Sequence, residues 1–249
     1  MKILSVANQK GGVGKTAVAS HLAFFLRDQG HKVLFVDLDP QANASSTLKA
    51  SASDVTASQL FDKSVKIDLQ PKDGISLIAA DVALADLERA DPQVIATFRE
   101  NLHRLANNFD FAIIDTAPTM GLRMTAALIA SNFVLCPIEL ESYSIDGITR
   151  MLQTVFGVQQ KWNPGLTFLG MLPNRFNSNS AKQKENLQNL LSSYAHLMIT
   201  AKIGNRSSIS DALADGIPVW EIPKTAAREA AKEMRAAFGI VTNKMAEGS

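Results

Sequence analysis

The sequence predicts an α/β fold: a single domain built on a mostly parallel, twisted sheet with helices on both faces. Three observations predict it. Strand-like and helix-like segments alternate over the whole length, as in repeated β-α-β units. Several strand candidates, such as residues 33–36 and 111–114, are continuous apolar runs, the pattern of strands buried on both faces. The first of them, residues 2–7, runs straight into a glycine-rich turn that opens a helix. A chain of 249 residues suits such a domain. No internal repeat or interdomain linker interrupts it. The formal net charge is +1, so any contact with nucleic acid has to be a local patch.

The turn is the most informative stretch. Residues 3–16 read Ile3-Leu4-Ser5-Val6-Ala7-Asn8-Gln9-Lys10-Gly11-Gly12-Val13-Gly14-Lys15-Thr16. The phosphate-loop pattern Gly-x-x-x-x-Gly-Lys-[Ser/Thr] asks for glycine where this chain has Gln9. The physics survives the departure. Gly11, Gly12 and Gly14 accept backbone angles that turn successive amides from Gly11 through Val13 to Lys15 around an anion. The helix that follows, 15–29, points its positive end at the same place. Lys15 supplies a cation to the β and γ phosphates, and Thr16 a hydroxyl for Mg2+. Lys10 and Lys15 would repel each other across the loop without an anion between them.

These residues carry a resemblance. Lys10-Gly11-Gly12-Val13-Gly14-Lys15-Thr16 resembles the deviant Walker A motif of the ParA/MinD ATPases, in particular the small, Soj-like partition type. The resemblance implies a P-loop NTPase domain that hydrolyses ATP with Mg2+. It also implies a homodimer in the ATP state, in which Lys10 reaches the nucleotide of the other subunit. Relatives often carry two threonines after the motif lysine; here Ala17 takes the second place. Its backbone N–H remains for the α phosphate, so somewhat weaker nucleotide binding is expected.

The next strand, 32–36, ends in Asp37-Leu38-Asp39-Pro40-Gln41. Ligands of α/β sheets sit at the carboxyl ends of the strands, which places both acids near the loop. The resemblance implies that Asp37 belongs to the Mg2+ and water network, that Asp39 orients the attacking water, and that Asn43, Ala44 and Ser45 form a switch region. Residues 55–61 read as a short helix and 75–79 as a strand after the turn Lys72-Asp73-Gly74. Residues 81–90 are helical in composition, and Ile95, Phe98, Leu102 and Leu105 have helical spacing. Asp110-Phe111-Ala112-Ile113-Ile114-Asp115 is an apolar run ending in an acid, the Walker B arrangement, and Asp115 would hold the metal's water shell or position nucleotide.

Residues 122–130 read as a helix and 133–138 as a strand. Residues 139–147 open a helix that runs to about residue 159 and, by resemblance, supports the dimer interface. A buried strand over 166–172 leads to Asn174, which matches a position where relatives contact adenine. Helices follow over 182–193 and 209–213. The last helix, 225–238, leaves residues 242–249 as a flexible tail behind a domain of residues 1–241.

Function is weighed among related switches. As a DNA-partitioning ATPase, the ATP-bound dimer would bind DNA non-specifically and be released when a separate ParB-like, centromere-binding partner stimulates hydrolysis. Lys224, Arg228, Lys232 and Arg235 fall on one face of the last helix, and Arg206, Lys202 and Arg175 would extend that face toward phosphates. Glu229 and Glu233 interrupt the row, so a merely solvated face is the competing reading. Positioning of another cytoplasmic cargo on the nucleoid would need the same ATPase. A MinD-like membrane-bound division regulator would need an amphipathic carboxyl terminus, and residues 243–249 have almost no apolar face. An iron–sulfur reductase of the nitrogenase iron-protein type would need two cluster cysteines; the chain has one, Cys136, in an apolar run. No apolar stretch reaches about 18 residues and no signal peptide is evident, so a cytoplasmic, nucleoid-associated protein is expected. The loop begins within ten residues of Met1, so no helix-turn-helix is expected ahead of it.

Overall fold

Alternation of apolar runs and amphipathic segments resolves, in the computed structural model, into fifteen strands and α-helices among the described residues, joined by 3-10 turns. The structure describes residues 1–72, 74–141 and 145–248. In chain order these are β1 (Lys2–Val6), α1 (Lys15–Asp28), β2 (Val33–Asp37), α2 (Asn43–Thr47), β3 (Ala52–Thr56), β4 (Ile75–Ala79), α3 (Val94–Arg104) and β5 (Phe111–Asp115). Then come α4 (Leu122–Ala130), β6 (Phe133–Glu139), α5 (Ile145–Lys161), β7 (Thr167–Asn174), α6 (Ala181–Tyr194), α7 (Ser207–Asp215) and α8 (Thr225–Glu247).

The strands form one sheet in the order β3-β4-β2-β5-β1-β6-β7, and every pairing is parallel. Successive side chains of a strand point to opposite faces, and both faces are covered. Leu4, Val6, Val33, Phe35 and Ile113 pack with α1, α7 and α8. Ile3, Leu34, Val36, Ala112 and Ile114 pack with α3 and α4. Val134, Cys136 and Ile138 meet α5. Phe35, Phe98 and Phe238 are fully buried, each stabilising the fold by about 2–3 kcal/mol. The outer edge of β7 is closed by residues 199–203: the Ile199 N–H donates to the Met171 carbonyl at 2.8 Å and that of Ile203 to Pro173 at 2.9 Å.

One topological fact positions the site. The connection from β1 to β2 passes over β5, so the carboxyl ends of β1, β5 and β2 lie side by side. Asp37 and Asp115 are direct partners in the β2–β5 register.

Two expectations are corrected. Residues 52–56 form an edge strand, and only Ser58–Phe61 coils, as a 3-10 turn. An edge strand bonded to β4 alone needs no apolar run, so its sequence does not announce it. The last helix does not stop at Phe238 but continues through residue 242 to Glu247. Met245 is buried in the core, Lys2 Nζ donates to the Met245 carbonyl at 2.9 Å, and Lys244 Nζ donates to the Leu169 carbonyl at 3.0 Å. Glu139 ends β6, and α5 opens at Ile145. Parts of two expectations, Asp73 in its turn and Ser142, Tyr143 and Ser144 before α5, lie outside the described residues, as does Ser249.

Candidate active site

The loop between β1 and α1 is held from outside by its carbonyls. Asn174, at the end of β7 and buried, donates its side-chain N–H to the Val13 carbonyl at 2.8 Å. Arg175 Nη1 donates to the Gly12 carbonyl at 3.0 Å, and Arg175 Nε lies 3.4 Å from Glu139. Asn8 accepts the Lys10 N–H at 3.0 Å and donates to the Pro137 carbonyl at 2.8 Å. Carbonyls drawn outward leave amides to face the concave side, the arrangement that binds anions. Two glycines are required for it. Gly12 and Gly14 have φ of 79° and 82°, and a Cβ at Gly14 would come within 2.3 Å of the Asn174 amide nitrogen. Arg175 itself sits at φ 55°, a left-handed conformation that costs on the order of 1 kcal/mol.

Lys15 is buried, and its Nζ donates to the Lys10 carbonyl at 3.1 Å. Burial lowers its pKa, while the charges of Asp115 and Asp39 work against that shift. Lys10 itself is exposed on the outer rim of the loop. A cavity of about 230 Å³ opens beside it, lined by Asn8, Gln9, Val13, Ile148 and Met151 among others.

The acids converge under the loop. The Thr16 hydroxyl donates to Asp115 Oδ2 at 2.6 Å. Asp37 is fully buried; its Oδ2 accepts the Ser45 N–H at 2.8 Å and the Ser45 hydroxyl at 2.7 Å, and its Oδ1 accepts the Asp39 N–H at 3.0 Å. Burial raises the Asp37 pKa, and the Ser45 bonds counter it. Burial, then the neighbouring charge of Asp37, pushes Asp115 up to about 8. Asp39 is half-buried and accepts the Gln41 N–H at 3.0 Å.

This donor set fits a magnesium ion held mainly by phosphate oxygens and water. Asp115 Oδ1 is buried and has no hydrogen-bond partner, and a carboxylate held in that state is stabilised by a nearby cation. Thr16 gives its proton to Asp115, which leaves its lone pairs for a metal. Among the described residues no group of three or more His, Cys, Asp or Glu could hold a metal by itself, in keeping with the few protein ligands that magnesium takes at phosphate sites.

The structure therefore brings Lys10 to Thr16, Asp37, Asp39, Asp115 and Asn174 to one end of the sheet. Ala17 follows on the first turn of α1, where its carbonyl accepts His21. The basic residues are a separate group and are unequal among themselves. Arg228, Lys232 and Arg235 are exposed and line a groove of about 490 Å³ beside Trp220 and Ile222. The Arg235 guanidinium lies 5.1 Å from the Trp220 ring centre. Lys224 pairs with Asp211 at 3.0 Å. Arg206 pairs with Glu233 at 2.7 Å, so the charge expected to extend the row is offset by an acid. Arg175 and Lys202 turn elsewhere, Arg175 to the loop and Lys202 onto the Phe176 ring. Sequence reasoning missed Ser45 as the residue that clamps Asp37, and Asn8 and Arg175 as supports of the loop. Ser45 and Arg175 reach their partners through the folded sheet ends, and Asn8 joins its local bond to Lys10 with one to the Pro137 carbonyl.

Comparison with known proteins adds to this geometry. The family model described as AAA domain matches residues 1–168. Protein IncC of Escherichia coli is 46% identical over 256 residues, which cover 98% of this chain and 70% of that protein. The sporulation initiation inhibitor protein Soj of Bacillus subtilis is 34% identical over 180 residues, covering 69% of this chain and 71% of that protein. A solved structure of cobyrinic acid a,c-diamide synthase from Mycobacterium smegmatis, with bound ATP analogue and magnesium, superposes with a TM-score of 0.82 at 26% identity. It covers 100% of this chain and 97% of that chain.

Proposed function

The chain belongs to the ParA family of deviant Walker A ATPases, and from that premise we propose that it is the nucleotide-driven switch of a DNA-partitioning system. It is an enzyme that hydrolyses ATP to ADP and phosphate with magnesium. The observation that carries the reading is the exposed Lys10 on the rim of a loop whose interior already holds Lys15, Thr16 and the paired acids.

The residues divide the work as follows. The amides from Gly11 through Lys15 and the Lys15 ammonium stabilise charge on the transferring phosphoryl group. Bound magnesium neutralises charge on the phosphate oxygens. Thr16 would hold it, with Asp37 and Asp115 as the carboxylates behind it. Asp39 orients the attacking water, Ala17 contributes its N–H near the α phosphate, and the buried Asn174 supports the loop through the Val13 carbonyl. Lys10 adds a cation to the site of a second copy, which ties hydrolysis to dimerisation.

In the ATP state the dimer binds DNA without sequence preference through Arg228, Lys232 and Arg235, with Lys224 at the end of the row, and Arg206 contributes less because of Glu233. A centromere-binding activator ends that state by stimulating hydrolysis, and the protein is associated with the nucleoid. The membrane-bound alternative is disfavoured because the last turn of α8 is committed to the fold through Met245 and Lys244.

The test is a DNA-binding titration with ATP, ADP and no nucleotide at two salt concentrations. Tight, salt-sensitive binding is expected with ATP alone. Arg228→Glu with Lys232→Glu is expected to weaken it about tenfold or more at the lower salt. Binding that ignores nucleotide, or a double variant that binds like the wild type, would remove the partition reading or move the DNA face.

A further inference from the structure

Asp39 lies just beyond the end of β2, on a segment without ladder hydrogen bonds of its own. Its placement depends on the peptide that joins it to Leu38. That peptide is a rigid plane, and it is held at both edges. The Asp39 N–H donates to Asp37 Oδ1 at 3.0 Å. On the other edge the Leu38 carbonyl accepts Arg123 Nη1 at 3.3 Å. The Leu38 N–H, one plane earlier, donates to the Asp115 carbonyl at 3.0 Å.

Arg123 stands in the first turn of α4 and is 6% exposed. A guanidinium that deep requires a counter-charge, and Glu88 supplies it: Arg123 Nε donates to Glu88 Oε1 at 2.7 Å. The second oxygen of Glu88 accepts the Leu122 N–H at 2.8 Å, which satisfies an amide of the α4 amino terminus. Gly121 makes this possible. A Cβ there would lie 1.9 Å from Glu88 Oε2. The guanidinium's fixed fork reaches an acid and a carbonyl on different elements, which a lysine would not do.

We propose that Arg123 is a positioning residue for ATP hydrolysis: held by Glu88, it fixes the Leu38–Asp39 peptide and so the aim of the Asp39 carboxylate. The proposal rests on the reading of Asp39 as the residue that orients water. An error of position near 1 Å at such a group can cost roughly a hundredfold in rate.

The test measures kcat and, separately, affinity for a fluorescent ATP analogue and ATP-dependent dimerisation in Arg123→Ala, Arg123→Lys, Glu88→Gln, Gly121→Ala and Asp39→Ala. Both Arg123 variants are expected to lose roughly tenfold to a hundredfold in kcat, with analogue affinity and dimerisation within about twofold of wild type. Glu88→Gln and Gly121→Ala are expected to lose kcat in the same sense, and they decide the matter if Arg123→Ala does not fold. Wild-type kcat in folded Arg123 variants, or in Glu88→Gln and Gly121→Ala, would overturn the proposal. A loss of analogue affinity equal to the loss of rate would also overturn it, since that would mark a merely structural tie. An inactive Asp39→Ala beside a fully active Arg123→Ala refutes only the positioning role. A fully active Asp39→Ala refutes the reading of Asp39 itself.

Discussion

Lys15 and His21 sit six residues apart on or beside one helix, and their burial has opposite purposes. Lys15 is buried beside acids and loop amides, where its charge would serve a phosphate. Lys15→Ala is expected to weaken ATP binding by roughly a hundredfold, the loss of about 3 kcal/mol of charge-assisted bonding. Calorimetry with ATP and magnesium checks it, and unchanged affinity would count against the loop. His21 serves the core. It is fully buried, its Nδ1 lies 2.8 Å from the Ala17 carbonyl, and its ring is flanked by Phe24 and Trp220 with centroids 6.0 Å away on each side. Burial, partly opposed by that Ala17 contact, lowers its pKa from 6.5 to about 4. The folded ring is then neutral where the unfolded one takes a proton, so this contribution is present above pH 6.5 and is lost as pH falls toward 4. The loss amounts to about 2 kcal/mol between pH 7 and pH 5. Urea melts at both pH values should show it in the wild type and show it reduced in His21→Leu; the same shift of midpoint with pH in both proteins would refute the assignment. The residues that the fold gathers around the loop were legible because phosphate-loop chemistry dictates type and spacing. Ser45 and Arg175 were not, because each acts on a residue brought close only by the fold, and Asn8 gains its second partner, the Pro137 carbonyl, in the same way.

At the scale of elements, legibility followed burial. Strands covered on both faces, such as β2, β5 and β6, are written as apolar runs and were placed to within a residue or two. β3, exposed at an edge with the sequence Ala52-Ser53-Asp54-Val55-Thr56, carries no such run. The end of α8 was illegible for a different reason. Residues 242–247 are mostly polar, and the stripe that binds them, Val241 and Met245, is only two residues long. Its partners come from the other end of the chain and from β7. Deleting residues 242–249 is expected to destabilise the protein by about 3 kcal/mol, from one buried methionine and two lysine–carbonyl bonds. Chemical denaturation measures this directly, and an unchanged midpoint would mean that the last turn is not docked in solution.

At the scale of the whole molecule, the proposed chemistry and the proposed attachment face occupy different regions of one sheet structure. The nucleotide end is set by where β1, β2 and β5 terminate; the basic row is set by the exposed side of α8. A net charge of +1 hides that row, because Arg206 and Lys224 are offset by Glu233 and Asp211 while Arg228, Lys232 and Arg235 line an open groove. The sheet's interior also holds the chain's sole cysteine. Cys136 lies in the middle of β6, fully buried, and burial raises its thiol pKa above the ordinary value. Only a thiolate reacts readily with alkylating reagents, so the native molecule should be silent toward maleimides until it opens globally. Labelling of Cys136 then becomes a clock for unfolding, and a cysteine introduced anywhere on the surface becomes a unique address for a fluorophore or cross-linker.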